Sequence, residues 1–182
     1  MIQTEMQQDL GRARNVLQNY LIRKLLIPKV YLDVDWNGLF IDVLAIDRAG
    51  SGDVHAVRIA RYSETDDIGE AVLANVLGVL SSSKQVDDSV VESMSFQSHF
   101  RYVAVVNEYP DAHKFKPTEI TIKQALAADG VGRIGILYVD LTEDDPSVQV
   151  ILRAERFRNS KELVEMTDQF VATHTPNWEV RE

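Results

Sequence analysis

The chain contains no cysteine, and this absence excludes disulfides, thiol catalysis and every metal site built on thiolate ligands. It also lacks an apolar run approaching the ~20 residues that cross a bilayer, and no signal-peptide pattern opens it. Lys and Arg total 19 against 28 Asp and Glu, so the formal net charge is −9. Because a phosphate-neutralising surface needs clustered basic residues, this acidity disfavours broad nucleic-acid binding. We expect a cytoplasmic protein without a membrane partner.

The basic residues that are present concentrate near the start of the chain. Residues 1–30 hold five basic residues against two acidic ones, whereas the remainder is strongly acidic. Apolar residues at three- and four-residue spacing predict an amphipathic helix within 1–28, over about 4–26, stopped by Pro28. A solvated helix face is the simplest interpretation of these charges. The candidate residues for a nucleic-acid contact are Arg12, Arg14, Arg23 and Lys24.

Strand-like and helix-like patterns alternate along the rest of the 182 residues. The segments 39–46 and 54–60 predict a hairpin, because the loop between them is rich in Gly, Asp and Ser. The other predicted strands span 100–106, 135–139 and 148–152, with a short one near 30–34, and the later predicted helices span about 68–80, 119–128 and 160–174. The order predicts an α/β fold, in which a mixed central sheet is flanked by helices within a single domain, 1–182.

Three local stretches carry a family resemblance: 40–47 (F-I-D-V-L-A-I-D), 54–61 (V-H-A-V-R-I-A-R) and 131–140 (V-G-R-I-G-I-L-Y-V-D). With the order of elements, they resemble the restriction-endonuclease-like PD-(D/E)XK nuclease superfamily from the first helix to Phe157. The resemblance implies a helix followed by a hairpin, with an acid on one strand and an acid-x-Lys triplet on the next. In that family two carboxylates hold Mg²⁺, which polarises the phosphate and supplies or orients a water nucleophile.

The resemblance implies a degenerate active site when its motif is matched residue by residue. Asp42 falls at the first acid, the catalytic and metal-binding position, but Arg58 replaces the second acid and Ala60 replaces the lysine. A cation at a metal-ligand position repels Mg²⁺, so Asp42 and Arg58 are expected to form an ion pair across the hairpin instead. No cofactor is therefore expected, and Mg²⁺ enters only if other ligands have migrated around Asp42.

Other polar patterns have simpler interpretations. Asp47 and Asp53 lie at the two ends of the hairpin loop, where Asp is ordinary turn chemistry. Period-two alternation directs His55 to the face opposite Arg58. Residues 130–135 spell G-x-G-x-x-G, but the pattern follows a predicted helix and leads into a strand, which reverses the context of a dinucleotide site.

These observations lead to three hypotheses about function. The leading one is a nuclease-fold protein that has lost catalysis and serves as an interaction or assembly module, with itself or another protein as the partner. The second is an enzyme, a Mg²⁺- or Mn²⁺-dependent DNA nuclease with migrated ligands around Asp42. The third is a protein that binds nucleic acid through its first helix without cleaving it.

Overall fold

Seven strands and two helices make up the described part of this computed structural model, which comprises residues 2–36, 38–47, 52–61, 98–107, 134–142, 144–156 and 161–179. The helices are α1 (Ile2–Lys24) and α2 (Lys161–Thr173). The strands are β1 (Lys29–Trp36), β2 (Leu39–Ile46), β3 (Val54–Arg61), β4 (Phe100–Asn107), β5 (Gly135–Asp140), β6 (Ser147–Leu152) and β7 (Trp178–Glu179).

The strands form one mixed sheet in the order β6-β5-β4-β3-β2-β1-β7. Strands β3, β4 and β5 are parallel, whereas the pairs β1–β2, β2–β3, β5–β6 and β1–β7 are antiparallel. The predicted α/β fold and both predicted hairpins are confirmed. Parallel neighbours require crossover connections, and the helices predicted at 68–80 and 119–128 lie outside the described residues. No helix in the described ranges is long and apolar enough to cross a membrane.

The two helices pack on opposite faces of the sheet. Leu17 and Leu21 of α1 belong to a buried cluster with Val43 of β2. Phe170 of α2 belongs to a second cluster with Leu44, the next residue of β2. Because successive strand residues point to opposite faces, these two memberships define the two layers of the core. In the second layer the ring of Phe170 meets the rings of Tyr31 and Trp36 edge-on, each at a centroid distance of 5.0 Å.

Helix α1 ends two residues before the predicted boundary. Leu26 has φ +56° and is 78% exposed, and the N–H of Ile27 donates to the carbonyl of Leu21 at 3.2 Å. Pro28 disfavours helical geometry in the residue before it, so the chain leaves the helix early. A bulky residue at positive φ is uncommon. Leu26 therefore adds backbone strain, and its side chain contributes nothing to the hydrophobic core.

Helix α2, strand β7 and strand β1 each add a detail to the sequence expectation. On α2, the apolar Val164 is exposed, whereas the polar Thr167 is buried and donates its hydroxyl to the carbonyl of Leu163 at 2.6 Å. The two-residue strand β7 was not predicted, and it lies beside β1. Strand β1 extends to eight residues, and its Leu32 N–H donates to Oδ1 of Asn177 at 2.7 Å.

Candidate functional site

A paired irregularity interrupts β1 and β2 where Asp33 and Asp42 face each other. The ladder pairs Leu32 with Val43 and Val34 with Ile41, so the two Asp residues lie opposite each other between these pairs. Asp33 has φ +53°, a left-handed conformation that Asp tolerates better than most residues. The apolar side chains change from one face of the sheet to the other at this point. Val34 and Ile41 belong to the buried cluster that contains Phe170 of α2, whereas Val43 belongs to the cluster that contains Leu17 of α1. Two carboxylates from adjacent strands are thereby brought side by side.

Strands β2 and β3 separate at the same place. Their pairing runs only from Val43↔Val57 to Ile46↔Val54. Beyond it, the N–H of Ile59 donates to Oδ2 of Asp42 at 2.9 Å, so a side chain replaces the missing strand partner. Asp42 is 6% exposed. A buried backbone N–H without an acceptor is costly, and Asp42 therefore has a structural role in the sheet.

Two arginines converge on this pair of carboxylates. Nε of Arg58 lies 3.6 Å from Oδ2 of Asp42, which is the ion pair that the sequence predicts across the hairpin. Nη2 of Arg14, from α1, lies 3.4 Å from Oδ1 of Asp42 and 2.7 Å from Oδ1 of Asp33. Arg14 was expected among the exposed basic residues of the first helix, and its place here corrects that expectation. The position follows from how α1 rotates when Leu17 and Leu21 pack on the sheet.

The four side chains Arg14, Asp33, Asp42 and Arg58, called here the Asp42 cluster, balance two positive against two negative charges. Burial raises the pKa of Asp33, Arg14 opposes that rise, and the Asp42 carboxylate adds to it. Within the described residues, the buried Nε groups of both arginines have no hydrogen-bond acceptor. The cluster is therefore held by charge attraction together with hydrogen bonds from Nη2 of Arg14 and the N–H of Ile59. Among the described residues, no group of three or more His, Asp or Glu side chains is arranged to hold a metal ion.

The remaining predicted site residues lie apart from the Asp42 cluster. The backbone of Ala60 pairs with Val105 of β4. Arg12, Arg23 and Lys24 are exposed on α1. Arg14 differs from these three candidate basic residues because it is partly buried and contacts Asp33 and Asp42.

A second polar cluster lies at the other end of the β2–β3 hairpin. The backbone of Asp47 donates to the carbonyl of Asp53 at 2.8 Å, which closes the loop as expected for turn residues. The carboxylate of Asp53, however, does more than stabilise a turn. Its Oδ1 accepts from Nη2 and Nε of Arg156 at 2.6 and 3.0 Å, and Nδ1 of His99 lies 3.7 Å away. The expectation of local turn chemistry is therefore wrong for the Asp53 side chain, which binds a residue 103 positions away.

The hydrogen bonding of His99 excludes an Asp–His catalytic pair. The N–H of Val54 donates to Nδ1 of His99 at 2.9 Å, so this nitrogen carries a lone pair rather than a proton. A general base oriented by Asp53 would need the opposite tautomer, with Nδ1–H donating to the carboxylate. The arrangement therefore fits a neutral structural histidine.

His55 is a second buried histidine near the same loop. Its ring stacks on Phe100 at a centroid distance of 4.6 Å and on Tyr102 at 6.2 Å, and its Nδ1 has no hydrogen-bond partner in the described part of the chain. Burial lowers its pKa to about 4, against the smaller opposing effects of Asp53 and Asp47. A histidine held neutral among aromatic rings packs as part of the fold.

Comparisons with known proteins yield only distant structural likenesses. No family model matches the chain, and no curated protein matches it. It is similar to a protein of unknown function from Silicibacter pomeroyi, at 14% identity and TM-score 0.47, over 89% of this chain and 85% of that one. It is also similar to SfsA from Pyrococcus furiosus, solved in complex with Ca²⁺, at 14% identity and TM-score 0.33, over 80% of this chain and 64% of that one. Neither likeness assigns an activity to this chain.

Proposed function

We propose that this chain is a nuclease-fold protein of the restriction-endonuclease-like type that has lost catalysis and acts as an interaction or assembly module. One observation carries the proposal. Asp42, the residue matched to the first metal ligand of the family motif, is surrounded by Arg58, Arg14 and the N–H of Ile59. Both of its carboxylate oxygens therefore already have positively polarised partners.

A divalent cation would have to enter against these partners. Mg²⁺ requires near-ideal octahedral oxygen coordination and gives up its water reluctantly. At Asp42 it would meet guanidinium nitrogens 3.4 and 3.6 Å from the oxygens it needs. Removing one arginine from a partly buried pair leaves an uncompensated charge, which is costly. In the Asp42 cluster, guanidinium groups thus balance the negative charge of the carboxylates, as a bound metal ion does in a nuclease.

An exposed apolar corner supports the interaction part of the proposal. Leu26 is 78% exposed despite its strained backbone, and Leu25 and Trp178 are also exposed. Trp178 pairs with Val30 at the start of β1, so these side chains lie at the same end of the sheet as the close of α1. A strained, exposed leucine does not stabilise the fold. Residues whose local conformation is unfavourable concentrate at functional surfaces.

The loss of catalysis is tested by melting and cleavage assays on the same protein. The melting temperature of wild type and Asp42→Ala is measured in EDTA, Mg²⁺ and Mn²⁺, and the metal-induced shift is compared within each protein. We expect no shift in either and no cleavage of DNA. A metal-induced rise in wild type that is absent from Asp42→Ala, accompanied by cleavage, would instead establish the nuclease alternative with migrated ligands.

Self-association is tested by sedimentation of wild type and Leu26→Gly over a range of concentrations. Glycine adopts positive φ without strain, so this variant removes the apolar side chain while relaxing the backbone. We expect weaker association at an equal or higher melting temperature. Wild type that remains monomeric at every concentration would eliminate the chain itself as the partner and direct the search to another protein.

The alternative of nucleic-acid binding is tested by changing the exposed basic residues alone. The triple substitution of Arg12, Arg23 and Lys24 to Gln leaves Arg14, and therefore the Asp42 cluster, in place. If α1 binds phosphates, the variant loses affinity and the salt dependence of binding becomes less steep. Unchanged affinity, or binding insensitive to salt, would eliminate this alternative.

A further inference from the structure

Three segments that are distant in sequence meet at one carboxylate oxygen. Oδ1 of Asp53 accepts both hydrogen bonds from Arg156, at 2.6 and 3.0 Å, and Nδ1 of His99 lies 3.7 Å from the same atom. Asp53 directly precedes β3, His99 directly precedes β4, and Arg156 follows β6. The contact therefore ties the starts of two central strands to the segment that follows the edge strand.

The backbone requires that His99 be neutral. The N–H of Val54 donates to Nδ1 of His99, and the N–H of His99 donates to the carbonyl of Val54, both at 2.9 Å. Protonation at Nδ1 would replace the acceptor with a donor and bring two N–H groups face to face. His99 is 2% exposed, so water cannot readily substitute for the lost bond. Only neutral His99 can form both of these hydrogen bonds with Val54.

We propose that His99, Asp53 and Arg156 form a pH switch, closed when His99 is neutral and opened when a proton from solvent binds Nδ1. The new Nδ1–H turns from Val54 to Oδ1 of Asp53 and competes there with Arg156. Val54 loses its acceptor, and the imidazolium and the guanidinium, both positive, share one carboxylate. Acidification thereby loosens the segment Arg153–Arg156 from the sheet.

The charges that face His99 set the pH range of the switch. Burial lowers the pKa of His99 from its ordinary 6.5, Asp53 opposes this effect, and Arg156 adds to it. His55 of β3 is a titratable neighbour of His99, and Asp53 and Asp47 both act on His55. A group whose pKa is lowered in the folded state stabilises it fully above the unfolded pKa. The closed switch is accordingly complete above pH 6.5 and opens as the pH falls below it.

The test uses NMR on the full chain and a variant that keeps the acceptor but cannot titrate. In His99→Asn, the side-chain oxygen can accept the Val54 N–H, and no proton can bind it in this range. Between about pH 7.5 and about pH 5.5, we expect the hydrogen-exchange protection of the Val54 amide to fall about tenfold in wild type and to stay constant in His99→Asn. His174→Asn, at an exposed histidine outside this contact, is the matched control and should behave as wild type.

Two further measurements keep the proposal falsifiable if His99→Asn does not fold. The imidazole ¹⁵N shifts of wild type near neutral pH should show the proton on Nε2, and Arg156→Gln should raise the pKa of His99 by removing the facing cation. A proton on Nδ1 near neutral pH, or a pKa unmoved by Arg156→Gln, would overturn the switch. So would a Val54 amide in His99→Asn that loses protection on acidification as wild type does.

Discussion

Asp42 and Asp53 are two buried carboxylates near opposite ends of the β2–β3 hairpin, 6% and 7% exposed, and both bind arginine from a distant segment. Their surroundings differ. Asp42 accepts a backbone N–H in the middle of the sheet and has two arginines at the long distances of 3.4 and 3.6 Å. Asp53 has one partly exposed arginine at 2.6 Å and a neighbouring histidine that can change its charge.

The two sites therefore differ in whether the charge of the carboxylate's partner depends on pH. Arginine remains charged at every physiological pH, so the cations that face Asp42 are fixed across that range. The Asp53 contact includes His99, whose pKa burial lowers from its ordinary value, and in the proposed switch the charge of this contact changes on acidification. Burial of a carboxylate alone therefore does not reveal its role, since the partner decides whether the contact is fixed or responsive.

The largest expected effect comes from removing the charge of Asp42. Asp42→Asn leaves the two guanidiniums without their shared anion, and we expect the free energy of unfolding to fall by about 3 kcal/mol in urea denaturation. Asp33→Asn is the matched control, because it changes the other carboxylate of the cluster at a half-exposed position, where we expect about 1 kcal/mol. Equal losses from the two variants would contradict the central role of Asp42.

The second effect concerns acid stability beside the Asp53 contact. The pKa of His55 is about 4 in the folded chain against 6.5 ordinarily, so its contribution to stability is complete above pH 6.5 and declines as the pH falls towards 4. His55→Phe keeps a ring against Phe100, and Nδ1 of His55 has no hydrogen-bond partner among the described residues. At about pH 4.5 we expect the acid-induced loss to be about 2 kcal/mol smaller than in wild type.

His174→Phe is the control for that prediction, since it replaces an exposed histidine that stacks on Phe170 rather than on Phe100. Urea denaturation as a function of pH measures both variants. An unchanged pH dependence in His55→Phe would show that His55 is not held neutral by burial.

A smaller effect tests whether arginine is what excludes metal from the Asp42 cluster. Arg58→Glu replaces the cation across the hairpin with a third carboxylate near Asp33 and Asp42. We expect Mn²⁺ to raise the stability of this variant by about 1.4 kcal/mol at ten times its dissociation constant, and not to affect wild type. Arg58→Gln removes the cation without adding a ligand. A metal response in Arg58→Gln equal to that in Arg58→Glu would indicate that charge removal alone admits the ion.

The smallest effect is expected from Arg156→Gln near neutral pH. The Arg156 side chain is 43% exposed, and its ion pair with Asp53 is open to screening. We expect the melting temperature to fall by no more than about 2 °C, measured by calorimetry in low and high salt. A loss of stability as large as that caused by Asp42→Asn would show that the arginine contacts of Asp42 and Asp53 contribute equally, which contradicts the distinction between them.

The sequence predicts one of these two sites better than the other for a physical reason. Asp42 interrupts an apolar strand, and the match to the family motif led to Arg58, which the hairpin register places opposite Asp42. Arg14 could not be placed, because its direction depends on how α1 rotates against the sheet. The partners of Asp53 lie 103 and 46 residues away at loop positions, where no periodicity indicates a contact.

The secondary-structure elements also differ in how well the sequence predicts them. Long strands with clear alternation, such as β2 and β3, were predicted within a residue or two. Strand β7 has only two residues, too few for any period, and its position depends on pairing with β1. The left-handed conformation of Asp33 gives no compositional signal, because Asp is common in ordinary strand ends and turns as well.

The pairing of β1 with the C-terminal segment has a consequence for synthesis. Leu32 donates its N–H to Asn177, which is made 145 residues later, and Phe170 covers the rings of Tyr31 and Trp36. While the ribosome is still translating, the first strand has left the exit tunnel but lacks the residues that cover one of its faces. Nascent chains therefore expose the rings of Tyr31 and Trp36 until Phe170 has been translated, and during that interval we expect them to bind chaperones that recognise apolar surfaces.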